Sequence, residues 1–212
     1  MKTPINTLLV ALCCVSIILA GCNAISPDTD DKPDLPDSDL VGDKKCSPPC
    51  WNGIIPGQTS QDTAVLVMQR LNDEIGGKLS VTNYGMSWRE KVSGRVYGVH
   101  FQDDRVKIIQ FIIDGTSLEQ VIGLFGEQDY LISGFDKGGG RGILIYYPNK
   151  GLAFTVDLKN QKTITKDAPV TYSYFVHPTD IRNEIGIIHG EEWIDEFMTT
   201  IHDWKGYGDV VQ

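Results

Sequence analysis

An oily run that stops short of a bilayer's width takes the start of this chain out of any globular fold. Leu8 to Leu19 is apolar apart from Ser16, and a generous count from Ile5 to Ala20 still includes Asn6 and Thr7. A spanning helix needs about 20 apolar residues. Lys2 is the only charged side chain before Asp28. A basic start, a short apolar centre and a small-residue end together read as a secretory signal over residues 1–21. The alternative is an uncleaved anchor helix, which must make do with a run shorter than the hydrocarbon core.

Leu19-Ala20-Gly21-Cys22 resembles the lipobox of bacterial lipoproteins. The resemblance implies cleavage before Cys22 and a thioether-linked diacylglycerol on its sulfur. Two buried acyl chains anchor where one is marginal. Ordinary secretion with cleavage elsewhere is the other reading of the same run. The expected location is extracytoplasmic, tethered to a membrane through Cys22; which membrane is left open.

Cysteine counting follows from this. Of the five cysteines, Cys13 and Cys14 leave with the signal and Cys22 carries the lipid. Cys46 and Cys50 remain, in "KKCSPPCWNG". An even pair in an exported chain suggests a disulfide. Pro48-Pro49 rules out a regular helix between the thiols. The rival, a metal or redox site, lacks a second pair and has three intervening residues where a redox motif has two.

Residues 22–45 read as a tether with a lipidated start. Asp28, Asp30, Asp31, Asp34, Asp37, Asp39 and Asp43 alternate with Pro27, Pro33 and Pro36, and no aromatic residue occurs. Such a segment buries too little apolar surface to offset its ordering entropy. Its aspartates lack the spacing and the distal Glu of a calcium loop. The whole chain has 19 Lys+Arg against 28 Asp+Glu, a net charge of −9. Removing residues 1–21 removes Lys2 and no acid, giving 18 − 28 = −10. That balance argues against nucleic acid and against electrostatic docking on anionic lipid.

The remaining segment, 46–212, has the patterning of an α+β domain with helices packed on an antiparallel sheet. The first helix is expected from a Thr59 cap, with Ala64, Met68, Leu71 and Ile75 as its stripe and Gly76-Gly77 as its stop. The second opens with Ser117 and Gln120 in a capping box, carries Leu118, Val121, Ile122 and Phe125, and ends at Gly126. The third is expected near Gly190-Glu191-Glu192, with Ile194, Phe197, Met198 and Ile201 inward. Between them the period shifts to two. "RVYGVHF" and "RVKIIQFII" flank Gln102-Asp103-Asp104, and "GILIYYP" and "GLAFTVDL" flank Asn149-Lys150, as two hairpins. "YLISGF" and "VTYSYFVHP" are further strands.

"TSQDTAVLVM" from Thr59 aligns with "TSLEQVIGLF" from Thr116, 116 − 59 = 57 residues later. Each is followed by strands. A helix and meander used twice, over about 57–113 and 114–177, predicts helices on one face of a sheet. Two unrelated capped amphipathic helices would look the same.

"CSPPCWNGIIPGQT" has the form C-x-x-P-C-W-x-G-I-x-P-G-x-T and resembles the opening motif of a family of bacterial exported lipoproteins with no assigned reaction. "GLFGEQDYL" and "IYYPNKGLAF" extend the resemblance over most of 46–160. At fold level, the helix-then-strands pattern is similar to beta-lactamase inhibitory protein and SmpA/OmlA-type lipoproteins. The resemblance implies export, a lipid anchor and a binding-type fold, and hands over no catalytic residue.

His100, His177, His189 and His202 are candidate bases or ligands, but none pairs at helical zinc spacing. "GFDKGGGRG" lacks the Lys-Ser/Thr of a phosphate loop and reads as a hairpin bend. Glu191, Glu192, Asp195 and Glu196 could supply paired carboxylates for glycoside cleavage, or simply a solvated helix face. Tyr172 and Tyr174 share a strand face that, if exposed, suits a protein or glycan partner. Trp51 is expected in the core, against the disulfide. No cofactor or metal site is expected. The sequence reads as a membrane-anchored lipoprotein with a binding or scaffolding domain for an envelope protein or glycan. A cell-envelope hydrolase is the alternative.

Overall fold

Both early helices begin where a serine hydroxyl takes up a free backbone amide. The computed structural model describes residues 46–136, 141–159 and 161–209. Ser60 accepts from Thr63 N and opens α1 (Gln61–Ile75). This is one residue later than the expected Thr59 cap, because the Thr59 hydroxyl is taken by Ile55 N at 2.8 Å. Ser117 and Gln120 form the expected reciprocal box at the start of α2 (Leu118–Phe125). Gly76 and Gly126 close the two helices, each at φ 81°.

Four α-helices and eleven strands are found among the described residues. The strands are β1 (Gly77–Thr82), β2 (Gly85–Glu90), β3 (Val96–Gln102), β4 (Arg105–Ser117), β5 (Tyr130–Asp136), β6 (Arg141–Tyr147), β7 (Leu152–Asp157), β8 (Thr163–Ile164), β9 (Pro169–Val176), β10 (Ile201–Asp203) and β11 (Gly208–Asp209). Nine form one antiparallel sheet in the order β1-β2-β3-β4-β9-β7-β6-β5-β10, and β8 pairs with β11 apart from it. The fold is mixed α+β with the sheet dominant. Asp103 and Asp104 turn the β3–β4 hairpin with φ of 52° and 59°, the twist that suits a two-residue bend. The β1–β2 hairpin has no counterpart among the expected strands.

The expectation of helices on one face is corrected. One face of the sheet carries Val99, Ile109, Phe111, Ile143, Ile145, Phe154 and Phe175, packed with Ala64, Met68 and Leu71 of α1 and Leu118 and Val121 of α2. The other face carries Ile108, Ile132, Leu144, Tyr146, Ala153, Tyr174 and Val176. It is covered by α3 (Ile181–His189) and α4 (Ile194–Thr199), through Ile185, Ile188, Ile194, Phe197 and Met198. Ile143 to Tyr147 is buried at every position. A strand apolar on both sides needs cover on both sides. The expected third helix is a 3-10 turn at Glu191–Trp193 followed by α4, and α3 before it has no counterpart among the expected helices. Ile201, expected on a helix, lies in β10 and still packs on the second core.

Candidate functional site

The chain comes into the domain through a tight loop. Cys46 and Cys50 lie at disulfide distance, with Cα atoms 5.6 Å apart. Cys50 N donates to Ser47 O at 3.0 Å, and Trp51 and Ile54 exchange backbone bonds at 2.9 and 2.8 Å. Trp51, 2% exposed, stacks on Tyr97 with ring centres 5.1 Å apart, and Tyr97 stacks on Trp88 at 5.0 Å. Offset aromatic stacks of this kind contribute about 1 kcal/mol each beyond their burial. The loop is thus seated on the core, as the sequence led one to expect for Trp51.

That loop forms one wall of a cleft of about 450 Å³, within the usual size of ligand pockets. Pro48, Pro49, Phe125, Leu152 and Pro178 supply apolar walls, and Lys150 supplies a cation. The Lys150 ammonium is positioned rather than loose. It donates to Phe125 O at 2.6 Å, at the negative end of α2, and sits 5.0 Å from the Tyr147 ring centre. Tyr147 in turn donates to Gly126 O at 2.9 Å. Burial, and after it the charge of Asp129, pushes the Tyr147 phenol well above its usual range. An apolar trough with one fixed ammonium can hold an apolar group that carries a negative charge.

A second polar group lies under α3. Asp180 caps the helix by accepting from Asn183 N, which orients the first turn and drives Glu184 inward. Glu184 is 0% exposed, and neither carboxyl oxygen has a hydrogen-bond partner among the described residues. Burial, and secondarily the charge of Asp129, pushes its pKa up to about 9. It is therefore a neutral acid at pH 7. Beside it, Tyr146 OH and His189 Nε2 are 3.0 Å apart. Burial, then Glu184, raises the Tyr146 phenol. Glu184 and Tyr146 are fully buried at the second apolar core under α3, and only His189 is partly exposed, which suits a structural role better than acid–base chemistry on an outside substrate.

The other candidates are scattered. Cys22 lies outside the described residues. His100 is exposed on β3, with its pKa lowered first by partial burial of the ring. His177 is exposed after β9, and His202 is half-buried in β10. No group of three His, Cys, Asp or Glu side chains among the described residues is placed to hold a metal. Glu191, Glu192, Asp195 and Glu196 lie along the 3-10 turn and α4, where Asp195 pairs with Arg182 at 2.8 Å, so they form a solvated helix face. "GFDKGGGRG" joins β5 to β6, whose register closes at Asp136↔Arg141; its residues 137–140 lie outside the described residues. Tyr172 and Tyr174 do share a face, 6.4 Å apart, but that face is under α3 and α4. The condition set for a partner surface there, an exposed face, is not met.

Sequence reasoning missed Glu184 and Lys150. Glu184 follows the Asp180 cap and is flanked by Ile181, Ile185 and Ile188, a helical stripe bounded by Gly190 that was available to be read. Lys150 carried no local signal beyond its place in a hairpin bend. No helix among the described residues is long and apolar enough to cross a membrane. No family model, curated protein or solved structure matches the chain.

Proposed function

We propose that this is a lipid-anchored extracytoplasmic protein whose folded part is a binding or scaffolding module. The observation that carries the reading is Leu19-Ala20-Gly21-Cys22 at the end of a short apolar run, followed by an Asp- and Pro-rich tether. Cys46 and Cys50, at bonding distance, fit an oxidising compartment as a disulfide. The cleft beside that pair supports binding, because it combines apolar walls with the fixed ammonium of Lys150. The partner is an envelope protein or a wall glycan bearing an anionic group.

The likeness to exported lipoproteins and to two-repeat binding folds belongs to the same reading. Its support is the strand order. α1 is followed by β1-β2-β3-β4 and α2 by β5-β6-β7-β9, and the last strand of each set, β4 and β9, pair at the centre. Both helices also open on equivalent serines, Ser60 and Ser117.

Mass spectrometry of the membrane-extracted protein tests the anchor. The expected N-terminal peptide begins at Cys22 and carries the mass of a diacylglycerol. A chain retaining Met1, with an unmodified Cys22, overturns the reading. A photocrosslinking residue at Asn149, on the cleft rim, tests the module. Selective capture of one envelope component, lost in Lys150→Glu, is the expected result.

A further inference from the structure

The two edges of the nine-stranded sheet are unlike. β10 closes one side with three residues, and β1 closes the other with six, five of them exposed. Lys91 N donates to Gly76 O at 3.2 Å, and the next pair inward is Gly77↔Glu90. Bonded positions alternate along an antiparallel pair. Lys78, Ser80 and Thr82 therefore turn their amides and carbonyls toward β2. Those of Gly77, Leu79 and Val81 point away from the sheet as an extended row of donors and acceptors.

The side chains of β1 divide by face. Leu79 packs against the first core, and Val81, two residues on, shares its side. Lys78 is on the other face, directly across from Arg89 of β2. Both are exposed. Arg89 donates to Gly94 O, and Lys78 has no ion pair among the described residues. Like charges directly opposed across strands repel. A lysine also guards many sheet edges, but Leu79 to Thr82 has no Pro, no charge and an unbroken register.

We propose that β1 takes up an extended acidic peptide as a further strand. Its apolar residues lie beside Leu79 and Val81, and its acidic residues lie over Lys78 and Arg89. The proposal rests on the binding-module reading and names its ligand class. The backbone row supplies affinity and the alternating faces supply selectivity. A second copy of β1 fits less well, because Gly77–Thr82 contains no acid to relieve the cation pair.

The test is fluorescence anisotropy of the full chain in detergent micelles, with a short labelled peptide alternating Glu and Val. Saturable binding is expected, roughly tenfold or more weaker for Lys78→Glu and for the peptide alternating Lys and Val. Val81→Pro deletes an outward amide without touching a β1–β2 bond and abolishes binding. Methylating alternate amides of the peptide abolishes it too, with the protein unchanged. Three results overturn the proposal: no saturable binding, binding unmoved by Lys78→Glu and by amide methylation, or β1 occupied by a second copy, seen as a disulfide-linked dimer of a Val81→Cys variant joined through the introduced thiols. A lipidated chain that ignores the peptide sinks this proposal alone. An unlipidated Cys22 with intact peptide binding sinks the anchor alone.

Discussion

Glu184 sets the first expectation, because an acid buried without a partner must make stability depend on pH. Its pKa of about 9 stands above the ordinary 4.5. Between those values the folded chain holds a proton that the unfolded chain has released. Stability therefore falls as pH rises through the window, by about 1.4 kcal/mol per unit, and levels off above the folded pKa. At pH 7 the loss relative to pH 4 is about 3 kcal/mol on that slope. Glu184→Gln removes this slope, so urea midpoints of the two proteins at pH 5, 7 and 9 should diverge most at the highest pH. Parallel profiles would contradict the assignment. Cys46 and Cys50 set a smaller expectation. A bridge closing so short a ring stabilises by about 2 kcal/mol in the chain-entropy model. Cys46→Ser should lower stability by that amount, and wild type should fall to the same denaturation midpoint in reductant. These residues differ in how readily the sequence shows them. Cysteine pairing follows from counting, whereas the depth of Glu184 depends on a sheet face whose cover the local sequence does not specify.

At the level of elements, two isoleucines separate local pattern from tertiary burial. Ile75 continues the expected stripe of α1, yet it is 45% exposed, while Ile185 of the unanticipated α3 is 0% exposed. Ile185→Ala should cost about 3 kcal/mol, as a cavity beneath a helix that covers Leu144 and Tyr146. Ile75→Ala should cost less than about 1 kcal/mol. Guanidinium titrations followed by tryptophan fluorescence compare them, and an equal loss at both sites would contradict the placement of α3. The capped helices and the β3–β4 and β6–β7 hairpins were legible because their signals are local: Thr59 (one residue before the actual cap, Ser60), Ser117 and Gln120, Gly76 and Gly126, Asp103 and Asp104. β1 and β2 were not, since "GKLSVT" and "GMSWRE" alternate weakly and one of them is an exposed edge. Gly190 reads from the sequence only as the start of the third helix, so α3 before it has no counterpart among the expected helices. Gly190 is both a stop and a start, with φ 107°. The cleft could not be read at all, since Pro48, Phe125, Lys150 and Pro178 meet only through the sheet.

For the whole molecule, charge and the proposed lipid give separable predictions. The chain carries −9 overall, and anionic vesicles repel such a body at long range. Lys78 and Arg89 form a local exception, too small a patch to hold it, since each cation near an anionic surface contributes only about 1 kcal/mol. Two acyl chains on Cys22 contribute far more, at about 0.8 kcal/mol per buried methylene. The full chain should therefore float with neutral and anionic vesicles alike in a density gradient, with little dependence on salt. Cys22→Ser should remain at the bottom with both. If the serine variant floats with anionic vesicles at low salt and sinks at high salt, the attachment is electrostatic and the proposed anchor is wrong. A serine variant that sinks but still binds the alternating Glu–Val peptide would instead separate the two roles, with the lipid deciding where the module works and the β1 edge deciding what it holds.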